Sequence, residues 1–263
     1  QGFQNLEIRE LENLLSHDDR RVRQRAQFTL ADRGATQSLL DVSTDTSRNV
    51  LARIHAIWGL GQLCRKKAIN YQALVPLLND SHVEVRRNAI VVLGNGHSLN
   101  AVPYLIDVLT EKNDHNHSSA EKAAAAVALG RIAKVQRKQL VEAVPALLEV
   151  LAKNNNVDPV LRCAICSSLS LCATIDQLVQ CVSDTRQPVR LGAVVALARI
   201  QAPQLGSFLN DMDAQVVTEA ARGLYENSDK ESMRYLAGLG SSRHITNSAR
   251  RYAVAASFRL GGL

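Results

Sequence analysis

Aromatic residues make up only 4% of this 263-residue chain, and tryptophan occurs once. Bulky rings fill wide interiors. Without them the core must be built in thin layers of Ala, Leu, Val and Ile. Proline is scarce at six residues, too few for a Pro-rich disordered chain. Cysteine numbers five, and an odd set cannot close a complete disulfide framework without a partner chain. No apolar run reaches the roughly 18 residues of a membrane span, so no membrane insertion by this segment is expected. No stretch alternates with period two, so no sheet is expected. Signatures of chemistry are missing too. There is no Gly-x-Ser-x-Gly, no phosphate loop and no His-Glu-x-x-His. Gly59-Leu60-Gly61 follows no strand and is not a dinucleotide loop. The chain is therefore expected not to be an enzyme and to carry no cofactor and no metal.

Two clusters are weighed against duller readings. Cys163-Ala164-Ile165-Cys166 has redox or metal spacing, but it falls inside a helical stretch with no second pair nearby. Free cysteines usually behave as small buried hydrophobes, and unpaired, buried thiols are expected here, Cys64 and Cys172 included. Asp114-His115-Asn116-His117 offers two imidazoles and no third ligand nearby, which is short of a zinc set; a solvated loop is expected.

Against these absences stands a recurring frame. Val-Arg is followed by Ala three residues later and by Leu after four more. It reads Val22-Arg23…Ala26…Leu30, Ala52-Arg53…Ala56…Leu60 and Val85-Arg86…Ala89…Leu93. It continues through Lys122…Ala125…Leu129, Leu161-Arg162…Ile165…Leu169 and Val189-Arg190…Ala193…Leu197, with looser copies at Leu224 and Leu260. The frame leucines lie 27 to 40 residues apart, and repeats of that length signify stacked supersecondary units. Each copy divides into a short helix A, a polar turn and a longer helix B carrying the frame. Glu7 to Ser16, His17-Asp18-Asp19 and Arg20 to Arg33 form the first, with Asp19 as N-cap and Gly34 as stop. Helices are also expected over Tyr71 to Asn79 and Pro203 to Asn210, with Gly94-Asn95-Gly96 ending the third helix B. The expected fold is an all-α solenoid of about eight helical hairpins, roughly sixteen helices, forming a single domain over 1–263. Gln1-Gly2-Phe3 in place of an initial Met suggests a piece of a longer protein.

The hairpin with Asp at the turn and Val-Arg opening helix B resembles the HEAT repeat, closest to the HEAT-like subclass of phycobilisome lyases. That resemblance implies a ladder between turn Asp and helix-B Arg, matched by Asp19/Arg23, Asp80/Arg86, Asp158/Arg162 and Asp184/Arg190. It implies interruptions at the second, fourth, seventh and eighth copies. The segments Arg20 to Phe28 and Leu51 to Leu63 also resemble the HEAT portion of large planctomycete-type envelope proteins, which place it between a sugar-dehydrogenase-like propeller and a c-type cytochrome. This would make the chain a dehydrogenase-associated spacer in the periplasm or cell envelope. It contains no Cys-x-x-Cys-His, so haem attachment is not assigned to it.

Helical periodicity selects a candidate binding face. Counted from the frame Arg, offsets −1, +3, +7 and +10 are mostly apolar, and offsets +2, +6 and +9 lie opposite. The polar stripe gives a groove of Arg25, His55, Trp58, Gln62, Asn88, Asn95, Arg131 and Arg199, floored by small residues at +6. His55 is expected to be the more exposed of the His55–Trp58 pair, with Trp58 packing on the next layer. The expected function is a non-catalytic scaffold that binds a protein partner or spaces flanking domains of its parent. The net charge of +6, from 31 basic and 25 acidic residues, keeps open a nucleic-acid scaffold using Arg25, Arg87, Arg131, Arg199 and Arg222, including a DNA-glycosylase-like form. A phycobilin-lyase-like enzyme is the other alternative.

Overall fold

The computed structural model describes residues 2–111, 116–136, 140–227, 229–239 and 245–261. The chain separates into two compact units, 1–135 and 136–263, both built from the same hairpin. In the N-terminal unit the pairs are α1 (Ile8–Leu14) with α2 (Arg20–Asp32), and α3 (Thr36–Thr44) with α4 (Val50–Arg65). A 3-10 segment (Tyr71–Asn79) precedes α5 (Val83–Asn95), and α6 (Val102–Thr110) precedes α7 (Ser119–Gln136). The C-terminal unit has α8 (Ala143–Asn154) with α9 (Pro159–Cys172), and α10 (Ile175–Gln180) with α11 (Gln187–Arg199). A 3-10 segment (Pro203–Phe208) precedes α12 (Ala214–Asn227), and α13 (Lys230–Leu239) pairs with α14 (Asn247–Arg259). No strand occurs among the described residues.

Two expected A helices are 3-10 instead. Pro76 lies inside the first and Pro203 opens the second. At Pro76 the missing amide proton and the clash with the preceding turn break the α-helical ladder; Pro203 stands at a first position that α-helices tolerate and does not account for the second. The B helices start as the sequence indicates. The Asp19 carboxylate accepts from the Arg21 amide at 2.8 Å, and Asp158 accepts from Val160 and Leu161 ahead of Pro159.

Four of the B helices share one way of stopping. Gly34, Lys67, His97 and Gln201 all have φ between 52° and 68°. The next amide in each case donates back across the turn, Ala35 to Leu30, Ala68 to Leu63, Ser98 to Leu93 and Ala202 to Leu197. This satisfies carbonyls the helix end leaves open. Of these four only the first supplies glycine, so the other three are invisible to a glycine search. Gly94, expected as a stop, lies within α5. A Cβ there would sit 2.6 Å from Cβ and 2.7 Å from Cα of Ala128; the residue is small because α7 passes directly over it.

The frame positions −1, +3 and +7 are buried in most copies. Val22 and Tyr252 are half-buried and Leu260 is exposed, because the first and last described layers are covered on one side only. Offset +6 does not face solvent. Gly59, Ala128, Ser168, Ala196 and Gly223 are buried, and a Cβ on Gly223 would strike Ala198 and Leu205 within 3 Å. These small residues permit close helix contact and are not the floor of a groove. At about 100° per residue, the exposed sector centres on offsets +5 and +9, and +6 lies beyond its edge.

The arginine ladder differs from the one the resemblance implies. Within a hairpin the frame Arg bonds to turn carbonyls. Arg86 Nη1 donates to the Asp80 and Ser81 oxygens at 2.8 and 3.1 Å, and Arg190 Nη1 to those of Asp184 and Thr185 at 2.9 and 3.2 Å. The carboxylate comes from the following layer. Arg53 pairs with Asp80, Arg86 Nε with Glu121 at 2.6 Å, and Arg190 Nε with Asp211 at 2.7 Å, all with side chains less than 10% exposed. The second, fourth and seventh copies thus each supply one member of a rung, Arg53, Glu121 and Asp211, while Arg23 and Arg162 meet no carboxylate among the described residues. At the eighth, Thr246 meets the Thr218 hydroxyl at 2.8 Å. Burial pushes the Glu121 carboxyl up, but hydrogen bonds from Arg86, Ser118 and His117 outweigh it and hold the group at about 2.

Asp80→Ala leaves the Arg53 guanidinium buried without its counter-charge. It should lower the unfolding free energy by about 3–5 kcal/mol in urea titrations. Glu149→Ala, which breaks the exposed pair with Arg186, should change it by less than about 1 kcal/mol. Equal, small effects would contradict a buried role for the ladder.

Candidate functional site

The candidate site is a shallow groove on the exposed edges of α2, α4 and α5. Its residues recur at helical spacing, Arg20 and Gln24 on α2, Trp58, Gln62 and Arg65 on α4, and Val91 and Asn95 on α5. They line a hollow of about 200 Å³, with Gln27, His55 and Val92 at its base. Gln62 and Arg65 also border a second hollow of about 450 Å³, shared with Arg25, Phe28 and Lys66.

His55 forms the floor and is only 3% exposed. Arg23 Nε donates to His55 Nε2 at 3.2 Å, so that nitrogen is the acceptor. The proton therefore sits on Nδ1, which donates to Gln27 Oε1 at 2.7 Å. Burial, then the charges of Arg23 and Arg20, push the imidazole down to about 4. The expectation that His55 is the more exposed partner is reversed. His55 is locked beneath, and Trp58 is 38% exposed.

Trp58 is exposed but fixed. Its ring meets His55 edge-on, with centroids 4.9 Å apart and planes at 74°. Its Nε1 donates to Asn88 Oδ1 at 3.1 Å, and Asn88 Nδ2 donates to the Glu84 carbonyl at 2.7 Å. Trp58 thus reaches the next layer through Asn88 rather than by packing into its core. Arg131 Nη1 donates to Asn95 Oδ1 at 2.5 Å and orients that amide.

The N-terminal unit therefore brings together Arg25, His55, Trp58, Gln62, Asn88, Asn95 and Arg131. Arg199 is not among them. It lies in the C-terminal unit on a separate hollow of about 220 Å³, with Arg162, Cys163, Cys166 and Glu219. Arg20, Gln24 and Arg65 were missed as site residues because the stripe was drawn through +6 instead of +5. Phe28 and Trp58, both 38% exposed at +5, were the available signal.

No disulfide joins the five cysteines, and Cys64, Cys166, Cys172 and Cys181 are buried. Cys163 is exposed, contrary to the expectation that all are buried, since it lies on the outer face of α9. Burial pushes the Cys64, Cys166 and Cys181 thiols up to about 11. His117 is not part of a solvated loop. It is buried, with Nδ1 3.1 Å from Glu121. Asp114 and His115 lie outside the described residues. Among the described residues, no three His, Cys, Asp or Glu side chains cluster as metal ligands would, and no helix is long and apolar enough to cross a membrane.

Residues 36–125, from α3 into α7, match the HEAT repeats family. The fold is an α-solenoid. A mutant of Kap121p superposes on 96% of this chain with a TM-score of 0.58 at 13% identity, and this chain covers 33% of that protein. Escherichia coli YibA gives a TM-score of 0.52 at 19% identity, over 98% of this chain and 94% of its own. The CpcE–CpcF complex of phycocyanin lyase from Nostoc gives 0.46 at 19% identity, over 90% of this chain and 95% of that one. Identities this low speak to the fold alone, and at 0.46 the lyase carries no argument. No curated protein matches.

The floor of the groove generates a pH dependence. Below its ordinary value of 6.5 an unfolded His55 takes up a proton, while the native imidazole resists down to about 4. Stability should fall as pH drops through this window, by roughly 3 kcal/mol in total. Urea unfolding at successive pH values measures it. His55→Asn should be less stable at neutral pH and lose less on acidification; the same slope in both proteins would contradict a buried neutral His55.

Proposed function

We propose that this chain is a non-catalytic interaction scaffold that holds a protein segment in the groove across α2, α4 and α5. One observation carries the reading, the exposed Trp58 held still by His55 and Asn88. An aromatic side chain fixed before binding gives up little rotamer entropy when a partner covers it, and Trp and Arg dominate interface hot spots. Amides on Gln24, Gln62 and Asn95 beside it supply donors and acceptors at the rim. The segment is a separate partner or a neighbouring domain of the same protein. The second case fits the resemblance to spacers in envelope dehydrogenase–cytochrome proteins. The nucleic-acid reading draws less support, since Arg87 pairs with Glu84, and Arg222 with Glu219 and Glu226. No feature of the groove favours lyase chemistry over binding.

Selection of a peptide-display library on the immobilised chain tests the reading. Enriched peptides should bind Trp58→Ala at least about tenfold more weakly, equivalent to about 1.4 kcal/mol. Circular dichroism would confirm that the variant remains helical. Failure to enrich any peptide, or equal binding by both proteins, would favour an empty groove and a pure spacer.

A further inference from the structure

The charge of the groove identifies the chemistry of its occupant. In the ladder, Arg53, Arg86 and Arg190 each meet a carboxylate of the next layer. Arg23, beneath the groove, meets the neutral His55 instead, and its other bonds go to the His17 and Asp18 carbonyls at 2.6 and 2.8 Å. The rung under the groove is therefore positive where those of Arg53, Arg86 and Arg190 are neutralised.

The rim adds to this charge. Several exposed arginines elsewhere are paired, Arg21 with Asp19, Arg87 with Glu84, Arg186 with Asp184 and Glu149, and Arg222 with Glu219, whereas Arg9, Arg234, Arg250 and Arg251 are exposed and make no ion pair among the described residues. Lys66, beside the groove, is paired with Asp32 at 2.7 Å. Arg20, Arg25 and Arg65 are exposed, line the two adjoining hollows, and make no ion pair among the described residues. The depressed titration of His55 shows the same field, since Arg23 and Arg20 both contribute to it. Arg20 and Arg65 thus share the hollow of the fixed tryptophan, Arg25 lies in the adjoining one, where Asp32 is engaged by Lys66, and Arg23 lies beneath; none of the four makes an ion pair among the described residues.

We propose that the groove binds an acidic, extended protein segment. Its carboxylates face Arg20, Arg25 and Arg65, and an apolar side chain of the segment covers Trp58. Guanidinium forks match carboxylates in a bidentate manner, and a positive groove over a low-dielectric floor steers an acidic partner toward it. A protein segment fits better than a nucleic acid. The cluster is short, it offers a single tryptophan for stacking, and the paired Arg87 does not extend it along α5. This inference rests on the interaction-scaffold reading and adds the sign of the partner.

Fluorescence anisotropy with three labelled probes tests it: a short peptide of Asp and Glu around one Leu, its Lys-substituted counterpart, and a single-stranded oligonucleotide of similar length. The acidic peptide should bind, with affinity falling at least about tenfold between roughly 0.05 and 0.5 M salt. The double change Arg20→Glu with Arg65→Glu should abolish that binding. Arg9→Glu, on the exposed side of α1 away from the groove, should leave it unchanged. Tighter binding of the basic peptide, or equal losses in the groove and Arg9 variants, would overturn the acidic assignment while leaving a protein-binding groove intact. Tighter binding of the oligonucleotide, lost in the groove variants, would overturn it in favour of a nucleic-acid surface. Binding of none of the probes, together with no enriched peptide in the display selection, would remove the scaffold reading itself.

Discussion

Within each unit a layer is joined to the next by an arginine, Arg86 in one and Arg190 in the other, that does two things at once. From the start of its B helix it reaches back to the carbonyls of its own turn and across to a carboxylate of the following hairpin. Buried guanidinium groups are tolerable only where their donors and charge are both satisfied. The aliphatic layers provide the free energy of folding through burial, but Ala and Leu alone discriminate poorly between one sliding position and another. We attribute the register between hairpins to the arginines, because their partners are fixed points on the turns.

That constraint explains why the groove lies where it does. At the second layer the acid is replaced by His55, which is kept neutral by burial and oriented by Arg23 and Gln27. The same imidazole supports the edge of Trp58. A structural rung and a binding floor are thus one set of side chains, and the charge left over is passed to the surface. The Cys163 hollow in the C-terminal unit has arginines as well, but among the described residues no aromatic side chain lines it.

The frame of Val-Arg, Ala and Leu made the hairpins and most of their cores legible in the sequence. A spacing of three and four residues directly encodes a buried helix face. The helix stops at Lys67, His97 and Gln201 were not legible, since side-chain identity there says nothing of a left-handed backbone that the surrounding hydrogen bonds impose. The ladder was misread because its acids lie in the next hairpin, and no local spacing reports a contact across roughly one repeat. Glu121 stands at a core offset and Asp211 precedes a degenerate frame, so neither resembles a rung. The groove was half legible. Seven of the eight residues chosen lie together, yet His55 and Trp58 exchanged roles. Small residues at offset +6 look the same in sequence whether they admit a ligand or a neighbouring helix, as at Gly59 and Ala128.

A double-mutant cycle on Arg190 and Asp211, with Arg190→Met and Asp211→Asn alone and combined, tests the coupling between layers most directly. Unfolding free energies should reveal a favourable interaction of about 1–3 kcal/mol, the double variant being less damaged than the sum of the single ones. A coupling near zero would show that the arginine does not join the layers and that aliphatic packing alone sets their register.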